Sequence, residues 1–320
     1  MPNDNTLTVA VAQIAPVWLD REATVQRVVA QVDAAAMQGA RLIAFGEALL
    51  PGYPFWVEHT DGARFESDFQ KTLYARYARE AVDIARGDLA LLCEAARRGH
   101  IQVMLGIIER PADRGGHSLY CAQVTIDDQG QVRNVHRKLM PTHEERLVWA
   151  PGDGHGLRVL ALDGFAVGGL NCWENWMPLA RSALYAQGIN VHVACWPGNV
   201  RNTADITRFI AREGRCYVLS VSGLMRRSDV PADIPHAGTL RAALPDVCAD
   251  GGSCIAGPDG QWLLEPQVSQ TGLWLAELSL ATVRAERQSF DPFGHYSRPD
   301  VLELQVNRAR PTGVRFADDE

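Results

Sequence analysis

Apolar runs of strand length alternate along the chain with amphipathic stretches of helix length. The run 8–14 is typical of a buried strand, and beyond a helix N-cap at Asp20 apolar residues recur at helical spacing as far as Gly39. A second apolar run, 41–45, completes a strand–helix–strand unit that ends at Gly46 and Glu47. This pattern predicts an α/β fold in which helices cover the faces of a sheet.

The rest of the chain continues the alternation. The patterns predict hairpin turns at 127–130 and 258–260, and the second half repeats the strand–helix–strand order of the first. No Pro- or Ser-rich linker interrupts the chain, so we expect one domain over residues 1–300 and a C-terminal arm over 301–320 with an acidic end. The predicted strands are 101–109, 119–126, 131–136, 159–162, 165–170, 189–195, 217–222 and 273–278, and the predicted helices are 66–86, 88–98, 178–187 and 203–214.

Composition and charge exclude several classes of protein. The chain has 320 residues and a formal net charge of −7 at pH 7, which argues against a nucleic-acid partner. Its 47% hydrophobic and 22% charged residues are close to the average for folded domains. No run approaches the roughly 18 apolar residues of a membrane helix, and the polar start has no signal-peptide pattern. We therefore expect no membrane partner.

The cysteines and histidines do not form metal-binding patterns. Seven cysteines without a C-x-x-C pair indicate free thiols in a reducing compartment, and so a cytoplasmic location. His192 and Cys195 lie close in sequence, but on a strand their odd separation directs them to opposite faces. No glycine-rich phosphate loop is present. We expect neither a metal nor a cofactor.

Three polar residues stand at the ends of predicted strands. Cys172 precedes the helix that opens at Pro178, where backbone N–H groups would stabilise a thiolate; the alternative is a buried structural cysteine. Glu47 is surrounded by apolar residues, and a buried carboxylate needs a partner. Lys138 follows a strand and is a candidate for that partner in a functional site. The alternatives are a purely structural ion pair with Glu47 and a lysine exposed to solvent.

The segments that carry these residues resemble the three signatures of the nitrilase superfamily. They are 46–54 with Glu47, 137–143 with Lys138, and 168–175 with Cys172, in that order and at matching intervals. The resemblance extends over about residues 7–300 and implies a four-layer αββα sandwich. The motif at 172–175, Cys-Trp-Glu-Asn, resembles that of true nitrilases, since the amidase branches usually have aspartate at the position of Glu174. Ala150 departs from the glycine common in nitrilases, which leaves the substrate range open.

The resemblance also implies an activity and roles for single residues. Cys172 would attack an organic nitrile, Glu47 would transfer protons, and Lys138 would lower the pKa of the thiol and stabilise developing charge. Glu145 would orient Lys138; the alternative is a surface charge. The backbone N–H of Trp173 would be a second donor to the intermediate. Candidate pocket residues, with plain core packing as the alternative for the large aromatic ones, are Tyr53, Trp149, Trp173, Trp196 and Pro197.

The same resemblance implies a small-molecule nitrile substrate, no cofactor, and a homodimer or larger helical homo-oligomer. His295 is a candidate to approach the site through a neighbouring subunit. Two alternatives stay open at this point. One is a related cysteine hydrolase that acts on an amide or on cyanide. The other is a scaffold protein without catalysis, which loss of Glu47, Lys138 or Cys172 would indicate; all three are present.

Overall fold

The computed structural model describes residues 5–311 and 314, and this part of the chain is a mixture of strands and helices. The strands, numbered in chain order, are β1 Thr6–Gln13, β2 Leu42–Phe45, β3 Gln102–Glu109, β4 Tyr120–Ile126, β5 Val132–Arg137, β6 Leu160–Leu162, β7 Phe165–Asn171, β8 Val191–Trp196, β9 Tyr217–Ser222, β10 Leu224–Arg226, β11 Val247–Ala256, β12 Trp262–Val268 and β13 Gly272–Ser279. The helices are α1 Arg21–Met37, α2 Trp56–His59, α3 Asp68–Glu80, α4 Ala90–Gly99, α5 Pro178–Tyr185, α6 Val200–Gly214, α7 Ala237–Ala243 and α8 Leu280–Arg287.

The strands form two sheets with a repeated centre. One sheet has the order β13-β1-β2-β3-β4-β5, and the other has the order β10-β11-β9-β8-β7-β6 with β12 paired to β11. Strands β1, β2 and β3 run parallel in the first sheet, as β7, β8 and β9 do in the second. The repeated strand–helix–strand order in the sequence corresponds to this repetition.

The two sheets pack face to face, and helices cover their outer faces. Helices α1 and α4 cover the first sheet through residues such as Val28 and Leu92, and α5 and α6 cover the second through residues such as Leu184 and Ile210. The predicted α/β class and the four-layer αββα sandwich are therefore confirmed. The residues packed between the sheets include Val9, Val11, Leu42, Ala44, Val193, Cys195, Leu219 and Val221.

A local sequence signal explains where α1 begins, and a contact with a distant strand explains where α3 ends. The carboxylate of Asp20 accepts a hydrogen bond from the backbone N–H of Ala23 at 2.9 Å, which caps α1 as expected. Helix α3 ends at Glu80 and does not continue to 86 as predicted. Ala81 is extended, and the N–H of Val82 donates to the carbonyl of Ile108 at 2.7 Å, so this segment forms a bridge with the C-terminal end of β3.

No helix in residues 5–311 is both long enough and apolar enough to cross a bilayer. The segment after residue 301 follows an irregular course and packs Leu304 and Val306 against the core of the second sheet. Residues 312–313 and 315–320, which include the acidic end, lie outside the described residues. The boundary between domain and arm stays a prediction.

Two backbone segments cross in close contact at the end of β2. A Cβ added to Gly106 on β3 would overlap the carbonyl of Gly46 and would lie 2.5 Å from the Cα of Glu47. The backbone N–H of Glu47 also donates to the carbonyl of Trp196, at the end of β8, at 3.0 Å. The main chain of Glu47 is therefore held by both sheets.

We predict that Gly106→Ala lowers the free energy of unfolding by about 1–3 kcal/mol or more, because the methyl group meets backbone that cannot move aside without displacing Glu47. Urea unfolding followed by circular dichroism measures the change. Gly238→Ala on α7 is the matched control, since nothing lies within 4 Å of the added Cβ, and it should be neutral or stabilising by up to about 1 kcal/mol. Equal stabilities of the two variants would contradict the packing argument.

Candidate active site

Four buried polar side chains meet where three strands end. Glu47 follows β2, Lys138 follows β5 and Cys172 follows β7, while Glu145 comes from a 3₁₀ turn over His143–Leu147. Each of the four is at most 2% exposed. The surface-charge alternative for Glu145 and the solvated alternative for Lys138 are therefore wrong.

Lys138 lies between two carboxylates. Its Nζ is 2.9 Å from Oε1 of Glu47 and 2.7 Å from Oε2 of Glu145. Burial disfavours the ammonium, but the surrounding acidic groups more than offset this and raise the pKa of Lys138 well above its usual range. The lysine is therefore a permanent cation inside the protein.

The thiol of Cys172 belongs to the same group. Its Sγ and one oxygen from each of Glu47 and Glu145 all lie within 4.8 Å of one another. These three atoms have the chemistry of metal ligands. The ammonium of Lys138 already bonds both carboxylates, however, and it takes the place of a metal ion between them. The donor set therefore favours an ion-pair network over a metal site.

Glu145 is held by three donors. The hydroxyl of Tyr53 donates to its Oε1 at 2.9 Å, and the backbone N–H of Thr142 donates to its Oε2 at 2.6 Å, the oxygen that also bonds Lys138. The Thr142 side chain completes a capping box on the turn. Glu145 is consequently held in place by its donors, and it shares the ammonium with Glu47.

The two oxygens of Glu47 differ. Oε1 bonds Lys138 and also accepts a hydrogen bond from the Sγ of Cys121 at 3.4 Å. Oε2 is buried and has no hydrogen-bond partner among the described residues. Burial raises the pKa of Glu47 to about 7, although Lys138 acts in the opposite direction. This carboxylate can thus take up and release a proton near neutral pH.

Cys121 is a site residue that the sequence patterns missed. It lies inside the apolar strand β4, where a core cysteine is the ordinary interpretation. Only the pairing of β4 with β3 and β5 brings it beside Glu47, and no local signal marks such a contact.

Cys172 has an unusual backbone. Its φ of 51° lies in the left-handed region, which non-glycine residues adopt at a cost in strain. The side chain of Asn175 stabilises the turn by donating to the carbonyl of Cys172 at 2.9 Å and to that of Leu170 at 3.3 Å. The thiol is therefore presented by a rigid turn.

The pKa of the Cys172 thiol is raised well above its usual range, mainly by burial and then by the charge of Glu47. Lys138 and the backbone N–H of Trp173 lower it, as expected, but they do not prevail. The predicted lowering by Lys138 is therefore present, but burial outweighs it in the resting protein. The site holds a neutral thiol, and a base must remove its proton when it reacts.

Three of the candidate pocket residues contact this group. The ring of Trp149 lies 5.6 Å from the Nζ of Lys138 and meets the ring of Tyr53 edge-on. Pro197 lines a cavity of about 10 Å³ together with Glu47 and Tyr53, which has room for about one water molecule. Aromatic and apolar surfaces thus border the polar group.

The side chains of the other two candidates, Trp196 and Trp173, bond none of the four site residues. Trp196 is fully buried against α6, and its Nε1 donates to the hydroxyl of Ser220 at 3.2 Å, so only its carbonyl reaches Glu47. The indole of Trp173 is 50% exposed and stacks on Trp176, so only its backbone faces Cys172. The side chain of Trp173 thus faces solvent, whereas Trp196 packs in the same buried cluster as Cys172, and its place in a substrate pocket stays a prediction. His295 is exposed beside Tyr296, and its subunit contact stays a prediction.

A family model described as carbon-nitrogen hydrolase matches residues 8–288. Among the relatives, Nitrilase 2 from an unknown prokaryotic organism is 36% identical, over 98% of this chain and 96% of its own length. The aliphatic nitrilase of Rhodococcus rhodochrous is 35% identical over 96% of this chain and 81% of its own. Nitrilase 1 of Arabidopsis thaliana is 33% identical over 97% of this chain and 90% of its own.

Solved structures share the fold at low identity. A carbon-nitrogen hydrolase from Helicobacter pylori superposes with a TM-score of 0.68 at 18% identity, covering 92% of this chain and 96% of that chain. An amidase from Nesterenkonia sp. gives a TM-score of 0.64 at 17% identity, with 90% and 96% covered. These similarities support the four-layer sandwich.

We predict that Lys138→Met raises the pKa of Glu47 above about 7, because the cation is the main charge that lowers it. Infrared difference titration of the carboxyl bands, with Glu47→Gln to identify the band, measures the shift. Lys71→Met is the control, since Lys71 pairs with Glu66 at the surface. A Glu47 band that titrates at the same pH with and without Lys138 would contradict the ion-pair assignment.

Proposed function

Because this chain belongs to the carbon-nitrogen hydrolase family, we propose that it is a nitrilase, which hydrolyses an organic nitrile to the carboxylic acid and ammonia. The observation that carries the proposal is the buried group in which the Cys172 thiol lies beside Glu47, with a pKa of about 7, and the ammonium of Lys138. The full-length similarity to proteins named nitrilases supports the choice of nitriles.

The first step is addition of the thiol across the carbon–nitrogen triple bond. Oε2 of Glu47 takes the proton of Cys172 as sulfur bonds the nitrile carbon, and it delivers that proton to the nitrogen. The product is a covalent thioimidate, with one new S–C bond and one new N–H bond. The ammonium of Lys138 and the backbone N–H of Trp173 stabilise the charge that develops on nitrogen.

The second step releases ammonia. Glu47 removes a proton from a water molecule as the water oxygen bonds the thioimidate carbon. Glu47 then passes that proton to the nitrogen. A further proton transfer, from the new hydroxyl through Glu47 to nitrogen, lets the C–N bond break. Ammonia leaves, and a thioester to Cys172 remains. A second water, activated in the same way, breaks the S–C bond and yields the carboxylic acid and the free thiol.

Glu145 acts as a positioning residue in this scheme. It bonds Lys138 and is itself fixed by Tyr53 and Thr142, so it keeps the ammonium directed at the reacting nitrogen. We propose that Tyr53, Trp149 and Pro197 contact the substituent of the nitrile, whose size they would restrict.

We also propose that the chain forms a homodimer or a larger homo-oligomer. Support comes from large apolar side chains that are exposed together around α5 and α6, in contrast to the usual surface of a monomer. Self-association would cover Trp173, Trp176, Met177, Leu179 and Phe209, which are 38–67% exposed. A cytoplasmic location remains a proposal that rests on the seven free cysteines.

We predict that the wild-type protein releases ammonia and acid from at least one member of a panel of aliphatic, aromatic and arylacetonitriles, and that Cys172→Ala abolishes this release. Glu47→Ala and Lys138→Ala should each lower kcat by at least about 10²-fold. Ammonia, acid and amide are measured together, with the parent amides and cyanide as further substrates.

Cys216→Ala is the matched control, because this thiol is buried in the core of the second sheet and bonds none of the four site residues. Turnover of amides alone, or of cyanide alone, would replace nitrile hydrolysis with the corresponding related activity. Full activity of Cys172→Ala would refute the nucleophile.

We predict that kcat/KM rises as the pH passes upward through about 7, because Glu47 must be ionised to accept the thiol proton. Cys121→Ala should move this midpoint to higher pH, since the Cys121 thiol hydrogen-bonds the carboxylate and lowers the pKa of Glu47. Cys254→Ala, which removes a buried thiol bonded to Thr207, is the control. Equal midpoints for all three proteins would exclude Cys121 from the site.

The same pKa gives folding stability the opposite pH dependence. A raised carboxyl pKa means that burial favours the protonated form of Glu47. The stabilisation is complete below the pKa of the unfolded chain and is lost as the pH rises through about 7. Activity and the contribution of Glu47 to stability therefore change in opposite directions over this range.

A further inference from the structure

One carboxylate connects the two strand ends that carry Lys138 and Cys172. Oε1 of Glu174 accepts a hydrogen bond from the backbone N–H of Leu139 at 2.8 Å, and Oε2 accepts one from the backbone N–H of Asn171 at 2.9 Å. Leu139 directly follows Lys138, and Asn171 directly precedes Cys172. The two donors come from different sheets, because β5 belongs to the first and β7 to the second.

A third donor completes the arrangement. The Nε2 of His136 on β5 lies 2.9 Å from Oε2 of Glu174, and both side chains are fully buried. Burial disfavours an ionised carboxylate, but the neighbouring His136 and the hydrogen bonds to the carboxylate outweigh it, so the pKa of Glu174 is lowered. Glu174 is thus a buried anion with three donors and without contact to solvent.

We propose that Glu174 is a positioning residue that sets the distance between the ammonium of Lys138 and the thiol of Cys172. It acts through the peptide groups next to these residues. The inference rests on the proposed function in assigning Lys138 and Cys172 to the reaction. The spacing of the two groups decides whether the thiol and the cation can act on the same nitrile.

The length of the side chain is essential to this role. Aspartate is shorter by one C–C bond, about 1.5 Å. It can cap its own turn at Asn171, but it cannot reach the N–H of Leu139 at the same time. The hydrogen bond that connects the backbone beside Lys138 to the turn that carries Cys172 is then lost. Displacements of about 1 Å in an active site lower rates by about 10²-fold.

The test compares Glu174→Asp with the wild type, as full-length protein in its native assembly. Alkylation of Cys172 by iodoacetamide is followed by mass spectrometry, and kcat and KM are measured on the best nitrile of the panel. The turnover rates are divided by the number of Cys172 thiols that iodoacetamide can alkylate, which counts the folded sites. We expect a decrease of at least about 10-fold in kcat per thiol, a KM within about 3-fold, slower alkylation and a changed ratio of amide to acid.

A merely structural role would lower the number of folded sites and leave these values per site unchanged. Asp229→Asn is the matched control, because Asp229 caps another 3₁₀ turn by accepting from the N–H of Arg226 at 2.7 Å. It should leave the rates per site at wild-type values.

A second variant keeps the test decisive if Glu174→Asp does not fold. Glu174→Gln retains the length but leaves one backbone N–H without an acceptor, so turnover and alkylation should change in the same direction. Wild-type rates per site in either variant would overturn the proposal. If the wild type hydrolyses no nitrile at all, the proposed function fails, while the alkylation rates still decide the role of Glu174.

Discussion

The site depends on one interaction, the ammonium of Lys138 held between the carboxylates of Glu47 and Glu145. Two carboxylates cannot both remain ionised when they are buried so close together without a cation, because nothing else would offset their lost hydration and mutual repulsion. Lys138 in turn could not remain charged at 1% exposure without both of them. The ends of β2 and β5 and the turn that carries Glu145 must therefore lie close enough for all three charges to be paired, and the fold is constrained accordingly.

The backbone meets this constraint by close approach of segments that are distant in sequence. The absence of a side chain at Gly106 lets β3 contact the peptide of Glu47. The N–H of Gly152 donates to the carbonyl of Lys138 at 2.8 Å, and Glu174 connects the peptides beside Lys138 and Cys172. The contacts of Gly106 and Gly152 are between main-chain atoms and cannot adjust by a change of rotamer, and the Glu174 carboxylate is held by its donors. They therefore fix the relative positions of the three groups more firmly than side-chain packing alone.

The sequence predicted the parts of this arrangement that depend on local pattern. Strand and helix periodicity indicated the layers, and the strand ends identified Glu47, Lys138 and Cys172. Four features could not be predicted from it. The contact of Cys121 with Glu47 depends on strand pairing, the exposure of the Trp173 side chain depends on backbone geometry, and the end of α3 at Glu80 depends on a bridge to β3. The net pKa of Cys172 depends on burial, which no motif encodes.

The electrostatics of the resting site follow from the same burial and suit the proposed chemistry. A preformed thiolate would be the better nucleophile, but a nitrile nitrogen must also gain protons before it can leave as ammonia. Burial raises the pKa of both Cys172 and Glu47, so the protein keeps a proton at the site. Lys138 stays charged, and it is in place to stabilise the negative charge that forms on the nitrile nitrogen during the attack. The attack and the proton delivery can therefore share one carboxylate, with the proton passing from sulfur to Glu47 to nitrogen.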